Sequence, residues 1–306
     1  MREMDNKIQI IDVGPRDGFQ NVKTFIDTET KLQIIDGLYQ AGIRAMEITS
    51  FVSPKAIPQM ADAAQVAETV IKKYPDLRAI ALVPNLRGAQ NAWNAGIREA
   101  AWVISASEAH NKANINRTIE ESLEALKKVR EELPELKVRL DIATAFGCPF
   151  AGKTPQTSVL YLIRVARDLG ISEITLCDTI GVGNPAQVRS LLKVIQKEYP
   201  EMQVALHFHN TRGMGLANIV AAIDMGIKNF ETSVGGLGGC PFAPGSEGNT
   251  ATEDTVYMVQ EMGLKTGIDI PKLLQTVSYV EQNVDAPLSG KLLKVSRSTS
   301  SCVAYQ

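Results

Sequence analysis

The chain has 306 residues, with 32 Lys and Arg against 34 Asp and Glu and a formal net charge of -2. So even a balance excludes a basic nucleic-acid binder or an acidic tail, and no apolar run approaches the ~18 residues of a membrane-spanning helix. Residues Met1–Lys7 carry acidic groups and no apolar stretch, so neither a signal nor a transit peptide is expected; four scattered cysteines (Cys148, Cys177, Cys240, Cys302) without CxxC spacing fit a reducing, cytoplasmic setting.

Taken in chain order, short β-branched runs alternate with longer amphipathic stretches. Strands are expected at Ile8–Val13, Ala45–Thr49, Arg78–Val83, Ala100–Ser105, Val138–Thr144, Glu173–Cys177, Val204–His209 and Asn229–Val234. Helices are expected between them at 27–41, 60–73, 87–95, 118–132, 156–169, 185–198, 214–225 and 251–262. Asp27 supplies N-cap chemistry to the first helix. Glycines 42, 96, 170 and 226 recur where a helix hands over to the next strand, the place for a left-handed residue. Parallel strands require crossover helices, and eight strand–helix units are the number that closes a (β/α)8 TIM barrel. The competing doubly wound sheet lacks its signature, because Val13-Gly14-Pro15-Arg16-Asp17-Gly18 does not carry GxGxxG spacing. Residues 1–265 are therefore expected to form a barrel. Residues 266–306 should add one helix near Pro271–Asn283 and a polar, mobile tail over Ser296–Ser301, packed on or beside it.

Barrel chemistry is built at the C-terminal strand ends, and unusual residues gather there: Arg16-Asp17, Glu47, Ser105-Ala106-Ser107, Asp178-Thr179, His207-Phe208-His209 and Gly235–Cys240, followed by Gly248-Asn249. Histidines at i and i+2 of a strand project to the same side, so His207 and His209 suit a divalent ion, with Asp17 and Asn249 supplying oxygens. The plainer reading is a pair of half-buried histidines satisfied by carbonyls. Mixed His, Asp and Asn donors favour Mg2+ or Mn2+ over a thiolate-rich zinc site. Arg16 reads either as a surface ion pair with Asp17 or as a donor to a developing oxyanion. Glu47, in mid-strand, needs a partner such as Arg16 or a histidine, and Asp178 has the same ambiguity. Cys240, in its glycine-rich run, reads equally as a small buried hydrophobe and as a proton donor on a mobile loop.

Together these segments resemble the hydroxymethylglutaryl-CoA lyase family of metal-dependent barrels. The matching stretches are Val13–Asn21, Glu47–Lys55, Leu82–Leu86, Ser105–Glu108, Gly147–Phe150, Asp178–Gly183 and Gly236–Pro241, and the likeness spans about residues 8–285. The resemblance implies retro-Claisen cleavage of a 3-hydroxy-3-methylglutaryl-CoA-like thioester to acetyl-CoA and a β-keto acid such as acetoacetate, a role in leucine catabolism, and a homodimer. It makes Asp17, His207, His209 and Asn249 the ligands of a divalent metal (Mg2+ or Mn2+). It makes Asp17 or His207 the base and Arg16 the stabiliser of the enolate oxygen. Cys240 becomes the acid that protonates the enolate carbon, with Glu47 and Asp178 orienting Arg16 and the histidines. The acyl-CoA substrate is expected to meet Gln20, Lys23, Ser107, Asn111, Thr179 and Arg212; for Lys23, Lys55, Asn111, Lys112 and Asn114, in or near strand-end loops, a contact to the phosphates and a solvated surface position are equally open.

Two departures bear on specificity. The family's Asp-Thr-Tyr-Gly after the second histidine is here Asn210-Thr211-Arg212-Gly213, and its Gln-Asn-Glu is here Gln20-Asn21-Val22. Arg212 is expected either to select a different acyl group or simply to pair with a neighbouring element. The rival functions are a lyase of the same chemistry on another 3-hydroxy-acyl-CoA, a Claisen synthase condensing acetyl-CoA with a keto acid, an aldolase, and a CoA- and metal-binding barrel without turnover.

Overall fold

The computed structural model describes residues 6–239 and 248–299. Its eight parallel strands are β1 (Gln9–Asp12), β2 (Ala45–Ser50), β3 (Arg78–Leu82), β4 (Glu99–Ser105), β5 (Lys137–Ala143), β6 (Glu173–Asp178), β7 (Gln203–Phe208) and β8 (Asn229–Thr232). They close in sequence order into a barrel, sealed by β8 on β1 with Gln9 opposite Asn229 and Asp12 opposite Thr232. The expected (β/α)8 barrel is the fold. Around it run α1 (Thr28–Gln40), α2 (Ala63–Lys73), α3 (Leu86–Asn94), α4 (Glu108–Ile115), α5 (Ile119–Glu132), α6 (Gln156–Asp168), α7 (Pro185–Glu198), α8 (Gly215–Asp224), α9 (Thr252–Glu261), α10 (Ile270–Asn283) and α11 (Leu292–Thr299).

Local chemistry sets these limits. The Asp27 carboxylate accepts from Thr30 N at 2.8 Å and starts α1. Thr118 with Glu121, and Asn184 with Gln187, form reciprocal capping boxes at α5 and α7. Gly42, Gly96, Gly170 and Gly226 all take positive φ, as their recurrence after helices required.

Alternation along each strand divides the apolar residues into two groups. The larger packs strands against helices, whereas Ile11, Ala45, Ile80 and Ala101 form a small cluster inside the barrel. Much of the remaining interior is charged. At the N-terminal end, Arg78 and Lys137 each pair with Glu99 and Glu173. Further up, Arg139 is wholly buried between Asp141 and Glu231.

Two expectations need correction. The stretch after β4 contains α4, ended by Asn116 at φ 54°; its mixed polar sequence gives little amphipathic signal. The C-terminal region holds two helices rather than one. α10 packs on α1, with Gly37 allowing Thr276 close approach, and α11 takes in Ser296–Thr299, the first part of the stretch expected as a mobile tail. Its apolar residues Leu292, Leu293 and Val295 recur at helical spacing beneath that polar composition.

Candidate active site

β1 leads into a wide turn over Gly14–Gly18, in which Val13 O accepts from Asp17 N at 2.7 Å and from Gly18 N at 3.3 Å. Asp12 Oδ1 fixes its start by accepting from Gly14 N at 2.8 Å. A methyl group on Gly14 would come within 2.7 Å of Val234 Cγ1, so the turn lies directly on the segment after β8. It delivers Arg16 and Asp17 to the C-terminal mouth of the barrel.

Arg16 is clamped between two acids: Nη1 meets Asp17 Oδ1 at 2.5 Å and Nη2 meets Glu47 Oε2 at 2.8 Å. Its Nε is buried with no hydrogen-bond partner among the described residues. Gln20 Nε2 donates to Asp17 Oδ1 at 3.0 Å. On β7 and the residue beyond it, His207 and His209 project together, their ring centroids 5.2 Å apart. His207 Nδ1 lies 2.9 Å from Glu231 Oε2, so Nε2 is the nitrogen left to the site. The other Glu231 oxygen meets Arg139 at 2.6 Å. Asn249 is brought alongside by a β-bridge to His209. Its Nδ2 donates to Asp17 Oδ2 at 2.7 Å and to Leu237 O at 2.9 Å.

One donor atom from each of Asp17, His207 and His209 lies within 4.8 Å of the other two, a convergence that fits one metal ion. Asn249 Oδ1 and His209 Nδ1 are also buried without a hydrogen-bond partner among the described residues, an arrangement costly unless something binds there. The charges agree. Half-buried Asp17 and buried Glu47, Asp141 and Glu231 are four acids around the two guanidiniums of Arg16 and Arg139, a surplus of carboxyl groups that suits a cation.

The ionisation states follow from these contacts. Burial alone would raise the Asp17 carboxyl, but Arg16, the two histidines and the Asn249 hydrogen bond outweigh it and hold the group below its ordinary 3.8. Burial raises Glu47 above the usual carboxylate range, against the pull of Arg16 and Arg139. For His207, burial is outweighed by the hydrogen bond and charge of Glu231, and its pKa rises. His209 is pushed down to about 4 by burial and by His207 beside it.

Arg16, Asp17 and the two histidines face a cavity of about 480 Å3. One end holds Arg16, Asp17, His207 and His209, with Asp141 and Cys177 also lining it. The cavity extends between the loops after β2, β3 and β4, past Val52, Ile57, Pro84, Asn114 and Arg117. A polar reacting end and a long, mixed wall suit a small acid joined to an extended carrier.

A family model described as HMGL-like matches residues 7–280. The chain belongs to the hydroxymethylglutaryl-CoA lyase family. It is 46% identical over 295 residues to the Bacillus subtilis hydroxymethylglutaryl-CoA lyase YngG, covering 96% of this chain and 98% of that protein. The human mitochondrial hydroxymethylglutaryl-CoA lyase is 40% identical over 294 residues, covering 95% and 90%. Among solved structures, the B. subtilis HMG-CoA lyase superposes with a TM-score of 0.91 at 46% identity, covering 95% of this chain and 98% of that one. An Acinetobacter baumannii HMG-CoA lyase, solved in complex with coenzyme A and 3-methylmalate, gives a TM-score of 0.90 at 40% identity, covering 96% of each chain.

Within this lyase-family barrel the structure sorts the expected residues. Arg16, Asp17, Glu47, His207, His209 and Asn249 come together as described. Gln20 and Thr179 line the cavity; Thr179 Oγ1 also accepts from Thr144 N at 2.8 Å. Asp178 is committed elsewhere. Its oxygens accept from Val182 N and Gly183 N, both at 2.9 Å, so it braces the loop after β6 rather than hydrogen-bonding Arg16 or a histidine; burial raises its pKa to about 6 despite those bonds. Asn111 corrects the sequence expectation. It is buried, accepts from Ser105 N, and donates to Arg117 O and Ser122 Oγ, which leaves it a structural pin beneath the cavity wall. Ser107 is a buried residue at the start of α4, and Lys23 is exposed; neither lines the cavity. Arg212 Nη1 donates to Ile180 O at 2.8 Å and Gly181 O at 3.2 Å, away from the cavity lining, which favours the structural alternative for it. Cys240 and Cys302 lie outside the described residues.

Sequence reasoning missed Glu231, Arg139 and Asp141. Their signal was present: a charged residue inside a strand expected to be buried needs a charged neighbour, and Arg139-Leu140-Asp141 places two at same-side spacing. His110 was also missed. It lines the cavity, is held through Nδ1 by Ser105 Oγ at 2.5 Å, and is kept neutral by burial, with its pKa lowered to about 4.

Proposed function

We propose that the protein cleaves 3-hydroxy-3-methylglutaryl-CoA to acetyl-CoA and acetoacetate with the help of Mg2+ or Mn2+. The observation that carries this reading is the convergence of the Asp17, His207 and His209 donors beside a buried Arg16, at one end of a cavity with room for a thioester. Asp17, His207, His209 and the orphaned Oδ1 of Asn249 are the residues that would hold the ion. When bound, it would act as a Lewis acid that lowers the pKa of the substrate's tertiary hydroxyl.

The remaining chemistry falls to the chain. The hydroxyl proton goes to Asp17 or His207, and Glu231 favours His207 by stabilising an imidazolium through Nδ1. A lone pair serves one partner at a time, so if His207 is the acceptor the ion is left to Asp17, His209 and Asn249. As the carbon–carbon bond breaks, the electron pair moves onto the thioester as an acetyl-CoA enolate. In this reading Arg16, fixed by Asp17 and Glu47, stabilises its oxygen. Cys240 supplies the proton to the enolate carbon in this reading, as the family resemblance implies. Gln20 and Thr179 contact the acyl end. The barrel is the catalytic unit in this reading, with α10 packed on α1 and α11 on α9 and α10.

A cytoplasmic homodimer in leucine catabolism completes the reading, as the family resemblance implies. Among the described residues, no helix is long and apolar enough to cross a membrane. The test is a product assay on chelator-treated protein given Mg2+ or Mn2+, 3-hydroxy-3-methylglutaryl-CoA and a panel of other 3-hydroxy-acyl-CoA thioesters. Acetoacetate and acetyl-CoA should appear with hydroxymethylglutaryl-CoA as the best substrate. Preference for another thioester, or turnover only when acetyl-CoA and a keto acid are supplied, would overturn the assignment.

A further inference from the structure

The glycine run after β8 is gripped from outside the barrel. Gly235 and Gly236 both stand at φ 68°, and the C-terminal segment binds this turn through its backbone. Gly235 O accepts from Ser289 N at 3.0 Å and from Gly290 N at 3.2 Å, and Ser289 Oγ donates to Gly236 O at 3.2 Å. From the other side, Gly235 N donates to Glu253 Oε2 at 3.0 Å. Leu288 covers the turn so closely that a methyl group on Gly235 would meet its Cδ2 at 2.9 Å. A methyl group on Gly290 would meet Glu253 Oε1 at 2.0 Å. The Asp254 carboxylate then anchors the segment by accepting from Lys291 N and from Leu292 N. None of these residues lines the cavity.

The turn passes that hold inward. A methyl group on Gly238 would come within 2.5 Å of Asn249 Nδ2 and 3.1 Å of Asp17 Oδ2. One on Gly18 would meet Leu237 Cβ at 3.0 Å. Leu237 O accepts from Asn249 Nδ2, and Gly239 O accepts from Asn21 Nδ2 at 2.9 Å. The turn bearing Asp17 and the turn bearing these glycines are thus in close contact, through the Val234 and Leu237 side chains against Gly14 and Gly18 and through Gly238 against Asp17, and tight packing of this kind transmits a shift.

We propose that residues 288–292 are a positioning element of the active site, holding Asp17 and Asn249 in place through the Gly235–Gly238 turn. Its metal-binding consequence rests on the reading of those two residues as ion ligands; its mechanical part does not. Two variants test it: Ser289→Ala, which removes one hydrogen bond, and Gly290→Ala, which wedges a methyl group against Glu253. Hydrogen exchange read by mass spectrometry should show lost protection both in peptides covering 233–239 and in those covering 13–20. Mn2+ affinity should weaken three- to tenfold in Ser289→Ala and more in Gly290→Ala. The thioester KM should stay within twofold while kcat falls. If Gly290→Ala does not fold, Ser289→Ala decides alone. Unchanged exchange over 13–20 overturns the proposal whatever happens to kcat. If the native protein binds no Mn2+, the metal reading fails, and the exchange data still decide on the positioning element.

Discussion

Among the described residues, Arg139 is the largest side chain hidden entirely from solvent, and its two acids explain how the interior tolerates it. Breaking one partner of such a buried set leaves an uncompensated charge, typically at a cost of about 3–5 kcal/mol. Glu253 is the opposite case, a fully buried carboxyl with a backbone N–H for a partner. Burial, with Asp254 adding to it, raises its pKa from 4.5 to about 8. Below the unfolded value both states are protonated, and the contribution to stability is complete. Between about pH 4.5 and about pH 8 the unfolded chain loses the proton while the folded one keeps it, so stability falls as pH rises. The Tm of the native protein should decline across that range, and Glu253→Gln should decline less steeply. Parallel slopes in a thermal-melt series would remove Glu253 as the source. The pair His207 and His209 was legible as a site because strand alternation fixes its direction. Glu253 was not, because nothing in the sequence separates an acid in the first turn of α9 that faces the core from one that faces water.

Among elements, the loops carry the unexpected structure. Gln59 ties the loop after β2 to the one after β1: its Nε2 donates to Val22 O and Thr24 O, and its Oε1 accepts from Ile26 N. Lys31 strengthens the same joint through Gln59 O and Asp62. Arg212 does comparable work between the loops after β7 and β6. Its departure from the family's tyrosine is therefore better explained by loop bracing than by acyl selection. Arg212→Ala should leave the ratio of kcat/KM values across a thioester panel within about threefold, since it removes no group from the cavity lining, while lowering overall activity modestly. A changed preference order would restore Arg212 as a specificity residue. The hydrophobic period and helix caps were readable in sequence because they depend on neighbours within four residues. The loop ties depend on partners 28 or more positions away, and α4, with its weak periodicity, was missed for the related reason that its burial is set by the loops around it.

At the scale of the molecule, two charged regions stack along the barrel axis. The lower one, Arg78 and Lys137 with Glu99 and Glu173, balances within itself. The upper one has four carboxyl groups, those of Asp17, Glu47, Asp141 and Glu231, around two guanidiniums, and it lies next to the mouth where the donors converge. Removing divalent ions with a chelator should reduce lyase activity to background. Restoring Mn2+ should raise Tm by a few degrees, since a ligand at 100 times its Kd stabilises the fold by about 2.7 kcal/mol. His209→Ala should abolish the rise; a full rise in that variant would place the ion elsewhere.

The sequence alone determined the barrel and the six residues that gather at its mouth. Strand count, crossover helices and same-side spacing are local properties, and a closed parallel barrel turns each of them into a fixed position in space. It could not decide which distant carboxylate backs His207, that Asp178 and Asn111 serve the scaffold, or that the C-terminal segment holds the glycine turn. Those outcomes depend on which unpaired donors and acceptors meet once the chain has closed, and only the tertiary structure brings them within hydrogen-bonding distance.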